Sequence, residues 1–298
     1  MKHFDLIGRS YTWLGLSATM VTLSILAIAI FGLNFGIDFT GGSLIELDLE
    51  NSFEVADVRG QLEELGYDDI TVQEAGEGAL FIRLEGISQE EHDVIVASLA
   101  ESYGEIDELR FESIGPVIGQ ELKKKSSIAL ILLSVLIVFY VAWTFRKVSK
   151  PVASWKYGIL TLVAAAHDLI LPLGVFAVIG SLVGYQIDTA FVAALLTILG
   201  YSINDTIVVF DRTRENLVTN RHSDESFGEI VNKSVMQSFA RSINTSLTTL
   251  LVLLAIFFFG GSTTKSFILA LMIGILSGAY SSIFLASPLL VMWNKKEK

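Results

Sequence analysis

An aspartate lies inside a long apolar run of this chain. Residues 189–210 are predominantly apolar and long enough to cross a bilayer, yet they contain the pair Asn204-Asp205. A carboxylate within a span costs roughly 2.5–3.5 kcal/mol on insertion scales, so such a group usually works with an ion or a proton. Asp205 is therefore the first candidate for chemistry, the reversible binding of a proton or a cation. The alternative is a structural hydrogen-bonding group near the membrane interface.

Arg241 is the natural partner of that carboxylate. It lies a few residues inside the start of another apolar run, residues 239–260, at a depth similar to that of Asp205. An ion pair would hold Asp205 while it is ionised and would free the arginine when it takes up a proton. The alternative for Arg241 is that its side chain extends to the lipid headgroups.

A third site is the pair His167-Asp168, near the middle of the run at residues 157–180. Histidine and aspartate side by side in a span are typical of proton relays, and here the relay partner would be Asp205. Hydrogen bonding between helices explains the same two residues equally well. Both interpretations stay open at this point.

Six apolar runs must position these groups. Hydrophobic residues make up 52% of the 298 residues, and charged residues make up 18%, below the roughly 25% of soluble domains. The sequence therefore predicts a polytopic α-helical membrane protein. The six predicted transmembrane helices are residues 13–33, 126–145, 157–180, 189–210, 239–260 and 267–293.

Charge sets the predicted orientation. Residues 34–125 hold 22 Asp and Glu against 6 Lys and Arg, whereas basic residues concentrate in alternate loops and at both ends. The positive-inside rule then places residues 1–12 and 294–298 in the cytoplasm and the acidic segment outside. Lys2 and Arg9 also fit a cleaved signal peptide, but the first run is too long for one, so we predict a retained span. A strongly acidic external domain argues against nucleic-acid binding.

The external segment reads as a small α+β domain. Within residues 43–114, alternating strand patterns and amphipathic helix patterns follow the order βαββαβ, which is typical of a ferredoxin-like fold. His92 stands alone there and is predicted to be an exposed helix residue. No metal or cofactor site is expected, and the chain has no cysteine.

Two further features concern the membrane region. Residues 223–238 predict an amphipathic helix on the cytoplasmic surface that leads into the fifth span. Small residues on the sixth span predict close helix packing: Gly274, Ser277, Gly278, Ser281 and Ser282.

Specific strings resemble a known family. Residues 36–42 read GIDFTGG after the first span, and residues 200–212 read GYSINDTIVVFDR at the end of the fourth. Arg214-Glu215-Asn216 follows directly, and Arg241-Ser242 precedes a Ser/Thr-rich start of the fifth span. Together they resemble the SecD/SecF family of bacterial protein-export subunits, and in size and layout the smaller, SecF-type member. The resemblance covers nearly the whole chain.

The resemblance implies a function and partners. Such a subunit is a transport accessory protein, not an enzyme. It sits in the bacterial inner membrane with both termini cytoplasmic, and pairs with SecD in an assembly similar to resistance-nodulation-division transporters. Beside the SecYEG channel, with YajC as a further expected partner, it would use the proton or sodium motive force to assist late export of unfolded preproteins. No cofactor is implied beyond the transported ion.

The resemblance also implies roles for residues. Asp205 would be the proton site and Arg241 its partner, with Asn204 and Thr206 as supporting polar groups. Glycines of the string at residues 36–42 would give a hinge-like connection to the external domain. The string's candidate residues are Gly36, Asp38, Gly41 and Gly42.

Two competing classes remain at this stage. One is half of a small-molecule or lipid exporter, which usually carries larger external domains than the roughly 75 residues expected for one modest core here. The other is a scaffold subunit without ion coupling, for which substitution of Asp205 would be silent.

Overall fold

The computed structural model describes residues 5–75, 79–147, 152–219 and 225–295. Residues 1–4, 223–224 and 296–298, which belong to the predicted cytoplasmic terminus, surface helix and tail, lie outside the described residues. The chain divides into two compact units. The first comprises Met1–Gly32, Ile128–Val178 and Ala190–Lys298, and the second comprises Leu33–Ser127 and Ile179–Thr189.

The secondary structure follows the sequence pattern closely. In chain order the elements are α1 (Ser10–Phe31), α2 (Ile37–Thr40), β1 (Gly42–Leu49), α3 (Val55–Glu64), β2 (Thr71–Ala75), β3 (Ala79–Leu84), α4 (Gln89–Tyr103), β4 (Ile106–Ile114), α5 (Pro116–Thr144), α6 (Ser154–Val183), α7 (Thr189–Thr219), α8 (Phe227–Phe259), α9 (Ser262–Ser281) and α10 (Ser287–Lys295). A π-helical segment, Ser282–Ala286, joins α9 to α10.

Among the described residues, six helical segments are long and apolar enough to cross a membrane, as predicted. A helix satisfies its own backbone groups, which is what a lipid environment demands. Several helices extend beyond the predicted spans. For example, α7 continues to Thr219, where the exposed i,i+3 ion pairs Arg212–Glu215 and Asp211–Arg214 support its polar last turns.

The fifth span and the predicted surface helix form one helix. Within the described residues, α8 starts at Phe227, and its N-cap is Ser226. Ser226 and Glu229 form a capping box, in which each side chain accepts a hydrogen bond from the other's backbone amide. No glycine or proline lies between residues 229 and 259, so nothing breaks the helix where the sequence pattern changes from amphipathic to apolar.

A core of aromatic and aliphatic side chains holds one end of the membrane unit together. Phe145 stacks on Tyr157 with ring centroids 4.9 Å apart, and Phe210 packs edge-on against Tyr157. Val231 and Val235 of α8 are fully buried in the same cluster. These contacts fix the last turns of α7 against α6 and the start of α8.

The second unit contains a four-stranded antiparallel sheet with the strand order β2-β3-β1-β4. This order, with α3 and α4 in the two crossovers, confirms the predicted ferredoxin-like arrangement. Ile45 and Leu47 of β1, Leu80 and Ile82 of β3 and Leu62 of α3 are fully buried and form its core. Ser88 caps α4 in a capping box with Glu91.

The expectation for His92 was wrong. Its side chain is 4% exposed and its ring stacks on Phe111 of β4 at 4.1 Å. The ring nitrogens lie 3.0 Å from Asp93 and 3.3 Å from Glu108, and the hydrogen bond from His92 helps to lower the pKa of Asp93. The imidazole therefore packs α4 onto the sheet, because its apolar face covers Phe111 while its edge stays near two carboxylates.

Candidate functional site

Asp205 lies on a buried face of α7. Its side chain is 2% exposed, and its Oδ2 atom has no hydrogen-bond partner among the described residues. Most buried side-chain polar atoms in proteins are paired, so a bare carboxylate oxygen marks a place where something else can bind. The groups whose charge or dipole acts on this carboxyl include Ser246 and Arg241 of α8 and Asp168 of α6.

Two contacts fix the depth of Asp205 relative to α8. The Tyr201 hydroxyl donates to the Thr245 carbonyl at 2.9 Å, and the Asn216 amide donates to the Ser234 hydroxyl at 2.8 Å. The two helices therefore run antiparallel, and Asp205 lies near the level of residues 242–246.

Two serines of α8 at this level are unusual. Ser242 and Ser246 are 1% and 3% exposed; the Ser246 hydroxyl interacts with the Asp205 carboxyl, and the Ser242 hydroxyl has no partner within the described residues. Ser234 and Ser238, by contrast, donate to backbone carbonyls one turn earlier in the same helix. The Asp205 carboxyl and the two hydroxyls, which lie one helical turn apart on α8, are thus buried oxygen groups at neighbouring depths. Oxygen donors of this kind suit a proton carrier or a hard cation.

The other residues expected at this site are less directly engaged. Arg241 is exposed, and within the described residues it makes no ion pair with Asp205 inside 4 Å, although it lies at similar depth as predicted. Asn204 faces outward and is exposed. Thr206 is fully buried, and its hydroxyl donates to the Ser202 carbonyl at 3.1 Å, which is a bond within its own helix.

Asp168 has the opposite environment from Asp205. It is fully buried, and its Oδ2 accepts hydrogen bonds from the hydroxyls of Ser202 at 2.5 Å and Ser281 at 2.6 Å. Its Oδ1 accepts from the Ser277 hydroxyl at 2.6 Å and lies 2.9 Å from His167 Nδ1. One carboxylate of α6 therefore joins α7 and α9, and both of its oxygens are saturated.

Small residues of α9 make this junction close. A Cβ atom on Gly278 would stand 3.2 Å from the Cα atom of Ser202, and one on Gly274 would stand 2.3 Å from Ile198. The small-residue pattern of the sixth span correctly predicted tight packing. It gave no sign that Ser277 and Ser281, one turn apart, donate to Asp168, although serines at i,i+4 opposite a buried aspartate are the signal that could have suggested it.

His167 completes the cluster without extending it to Asp205. Its ring lies roughly parallel to that of Tyr280 with centroids 5.9 Å apart, and its Nε2 atom has no partner among the described residues. Because Nδ1 is directed at the Asp168 carboxylate, Nδ1 is assigned as a nitrogen that carries a proton and donates it to this hydrogen bond. Ser202 contacts Asp168 and lies one turn before Asp205 on α7.

The glycine string lies in the second unit and is tightly packed. Gly41 and Gly42 have φ angles of 79° and 112°, which L side chains rarely adopt. A Cβ on Gly41 would stand 2.8 Å from Pro116 Cα, and one on Gly42 would stand 2.7 Å from the Leu84 carbonyl oxygen. Asp38 is buried and accepts two hydrogen bonds from Thr189, while the Gly36 amide donates to Ile187.

This packing gives a direct prediction for Gly42. We expect Gly42→Ala to destabilise the protein by about 1–2 kcal/mol from the backbone angle alone, and by more because the methyl group meets a backbone oxygen. Thermal unfolding of the purified full-length protein in detergent measures this. Gly86→Ala is the matched control, since a Cβ there meets nothing within 4 Å, and it should stay within about 0.5 kcal/mol of the parent. Equal stability of the two variants would contradict the structure of the string.

Comparison with known proteins agrees with this architecture. Residues 94–296 match the family described as "Protein export membrane protein SecD/SecF, C-terminal", and residues 26–52 match the "SecD/SecF GG Motif". The chain is 42% identical to the protein translocase subunit SecF of Thermobaculum terrenum, over 98% of this chain and 95% of that protein. It is 35% identical to the SecF of Anaerolinea thermophila, with the same coverage.

A solved structure shows the same fold. The crystal structure of SecDF, a translocon-associated membrane protein from Thermus thermophilus, superposes with a TM-score of 0.87 at 35% identity. The match covers 99% of this chain but only 39% of the SecDF chain, so this chain spans about two-fifths of that longer protein. On the family match, the full-length relatives and the shared fold, this chain belongs to the SecD/SecF family of protein-export membrane proteins.

Proposed function

We propose that this chain couples an ion-motive force to late steps of protein export, working with SecD beside the SecYEG channel in the bacterial inner membrane. The observation that carries the proposal is the bare, buried Oδ2 of Asp205 in a membrane-spanning helix. Moving one charge through 100 mV releases about 2.3 kcal/mol, so a few ions per cycle suffice to drive a change in helix packing.

The ion-binding group is the carboxylate of Asp205, supported by Ser242 and Ser246. Their buried oxygen atoms can act as ligands to a hydrated proton or to sodium. Arg241 acts on the same carboxyl from similar depth and moves towards it when the ion leaves. Thr206 supports α7 through its bond to the Ser202 carbonyl, and the exposed Asn204 is accessible to a partner subunit.

Asp168 acts in this proposal as a fixed anchor. Its four hydrogen-bonding neighbours hold the carboxyl group in place and join α6, α7 and α9. Ion binding at Asp205 then changes the contact between α7 and α8 on one side of α7 while the other side stays fixed. A relay through His167 and Asp168 is the competing role for the same pair.

The external domain receives this movement and holds the emerging preprotein. SecD, SecYEG and YajC are the expected protein partners, and both termini are expected in the cytoplasm. The acidic surface of the domain carries most of the chain's acidic residues, which suits an exposed position away from anionic headgroups.

Export into inverted membrane vesicles tests this proposal. Vesicles with and without this chain, both containing SecD and SecYEG, are given a preprotein arrested late in transit, and its release is followed after the motive force is imposed. We expect force-dependent release only with this chain present. A protonophore and a sodium ionophore, added separately, identify the ion. Force-independent release that is equal in both vesicle types would contradict the proposal and favour a scaffold.

A further inference from the structure

Asp38 caps the N-terminus of α7 from a distant part of the chain. Its Oδ2 accepts a hydrogen bond from the Thr189 backbone amide at 2.7 Å and another from the Thr189 hydroxyl at 2.6 Å. Thr189 is the first residue of α7, and Asp38 is 8% exposed. The first amides of a helix lack partners within the helix, and a carboxylate there is also favoured by the helix dipole.

Backbone hydrogen bonds reinforce this cap. The Gly36 amide donates to the Ile187 carbonyl at 2.8 Å, and the Ile187 amide donates to the Asn34 carbonyl at 2.7 Å. Phe35 and Ile187 thereby form a parallel β-bridge. The segment before Asp38 and the segment before Thr189 are thus joined by several bonds within the same compact unit.

Contacts with β3 and α5 hold the other side of the glycine string. The Arg83 guanidinium of β3 donates to the Phe35 carbonyl at 3.1 Å, and Gly42 is the first residue of β1. A Cβ on Gly119 of α5 would stand 3.0 Å from the Gly41 amide nitrogen. The string is therefore packed on both sides within the second unit.

We propose that Asp38 is a positioning residue that fastens the first turn of α7 to the segment leading into β1, so that a movement of α7 is passed to the external sheet. This inference rests on the proposed function, because α7 also carries Asp205, about 24 Å further along the same helix. Asp38 touches neither the ion nor the substrate.

Side-chain chemistry distinguishes the variants. Asp38→Ala removes both hydrogen bonds that the carboxylate accepts, and we expect force-dependent export to fall by about tenfold. A tenfold change corresponds to a free energy in the upper part of the range for loss of an N-cap. Asp38→Asn keeps an oxygen acceptor at a position where asparagine caps as well as aspartate, so export should stay within about twofold of the parent. Normal export by Asp38→Ala, with the chain and SecD at normal levels, would overturn the proposal.

A disulfide bond can replace the link that Asp38 makes between the segment before β1 and the start of α7. The chain has no cysteine, so Phe35→Cys with Ile187→Cys introduces one defined pair at bridge partners, whose spacing suits a disulfide. Oxidation of this pair in the Asp38→Ala background should restore most of the lost export, and reduction should remove it again. A disulfide that forms but restores nothing would show that Asp38 does not act by fastening α7.

Asp205→Asn, assayed beside these variants, separates the two proposals. If the Asp205→Asn variant exports normally, the proposal of ion coupling at Asp205 is wrong. The proposal that Asp38 fastens α7 is then tested by oxidation of the cysteine pair alone. The fraction oxidised should then be higher with Asp38 present than with Asp38→Ala. Equal fractions would overturn the cap, whatever the fate of the ion site.

Discussion

Replacing Asp205 with asparagine is expected to abolish force-dependent export while the protein stays folded. The substitution removes the carboxylate that exchanges the ion and preserves the size of the side chain. Because Oδ2 has no partner among the described residues, little stabilisation is lost with it. Export in cells whose only copy carries Asp205→Asn should therefore fall to the level of cells lacking the chain, with membrane levels and SecD association unchanged.

The matched control is Asp211→Asn on the same helix. Asp211 is exposed and forms an i,i+3 pair with Arg214 on the surface, an interaction worth well below about 1 kcal/mol. We expect normal export from this variant. Normal export from Asp205→Asn as well would show that the buried carboxylate is structural and that the chain is a scaffold.

Replacing Asp168 with leucine is expected to have the largest effect on stability. The change leaves the hydroxyls of Ser202, Ser277 and Ser281 without their shared acceptor at the junction of α6, α7 and α9. At about 0.6–1.7 kcal/mol for each interhelical bond, the loss is about 2–5 kcal/mol. Asp205→Leu, by contrast, should change stability by much less. Thermal unfolding of the purified variants in detergent gives both values.

Asp168→Asn distinguishes a structural role of Asp168 from a role in proton transfer. Asparagine keeps an acceptor for part of the serine cluster but has no proton to exchange. An anchor predicts reduced thermal stability with export still dependent on the motive force. Loss of the force dependence at unchanged stability would instead favour a relay through His167 and Asp168. Alanine at Ser277 or Ser281 should lower stability by a fraction of the Asp168→Leu effect.

Much of the fold could be predicted because its physical signals are local. Runs of about 20 apolar residues identify the spans, and the period of the apolar residues distinguishes β1 from α3. Ser88 and Gly104 mark the start and end of α4 by capping chemistry. The amphipathic segment predicted to lead into the fifth span is continuous with it in α8, because no glycine or proline interrupts the helix.

The site was predictable only in part. A carboxylate within an apolar run is easily recognised in a sequence, so Asp205 and Asp168 could be identified as candidates from the sequence. Their environments depend on how each helix is rotated about its own axis and on which helices lie beside it. Both are set by packing between segments distant in sequence, such as Gly278 of α9 against Ser202 of α7. The capping of Thr189 by Asp38 is hidden for the same reason, since 151 positions separate the two residues.

The most direct test of ion coupling at Asp205 is ion flux per exported preprotein. Proteoliposomes that contain this chain, SecD and SecYEG are loaded with a pH-sensitive dye or a sodium-sensitive dye, and ion movement is recorded during export under an imposed gradient. We predict ion flux that rises with preprotein export in the parent and is absent with Asp205→Asn, while Asp211→Asn behaves as the parent. Equal, preprotein-linked flux in the parent and in Asp205→Asn would contradict the assignment of the ion site to this carboxylate.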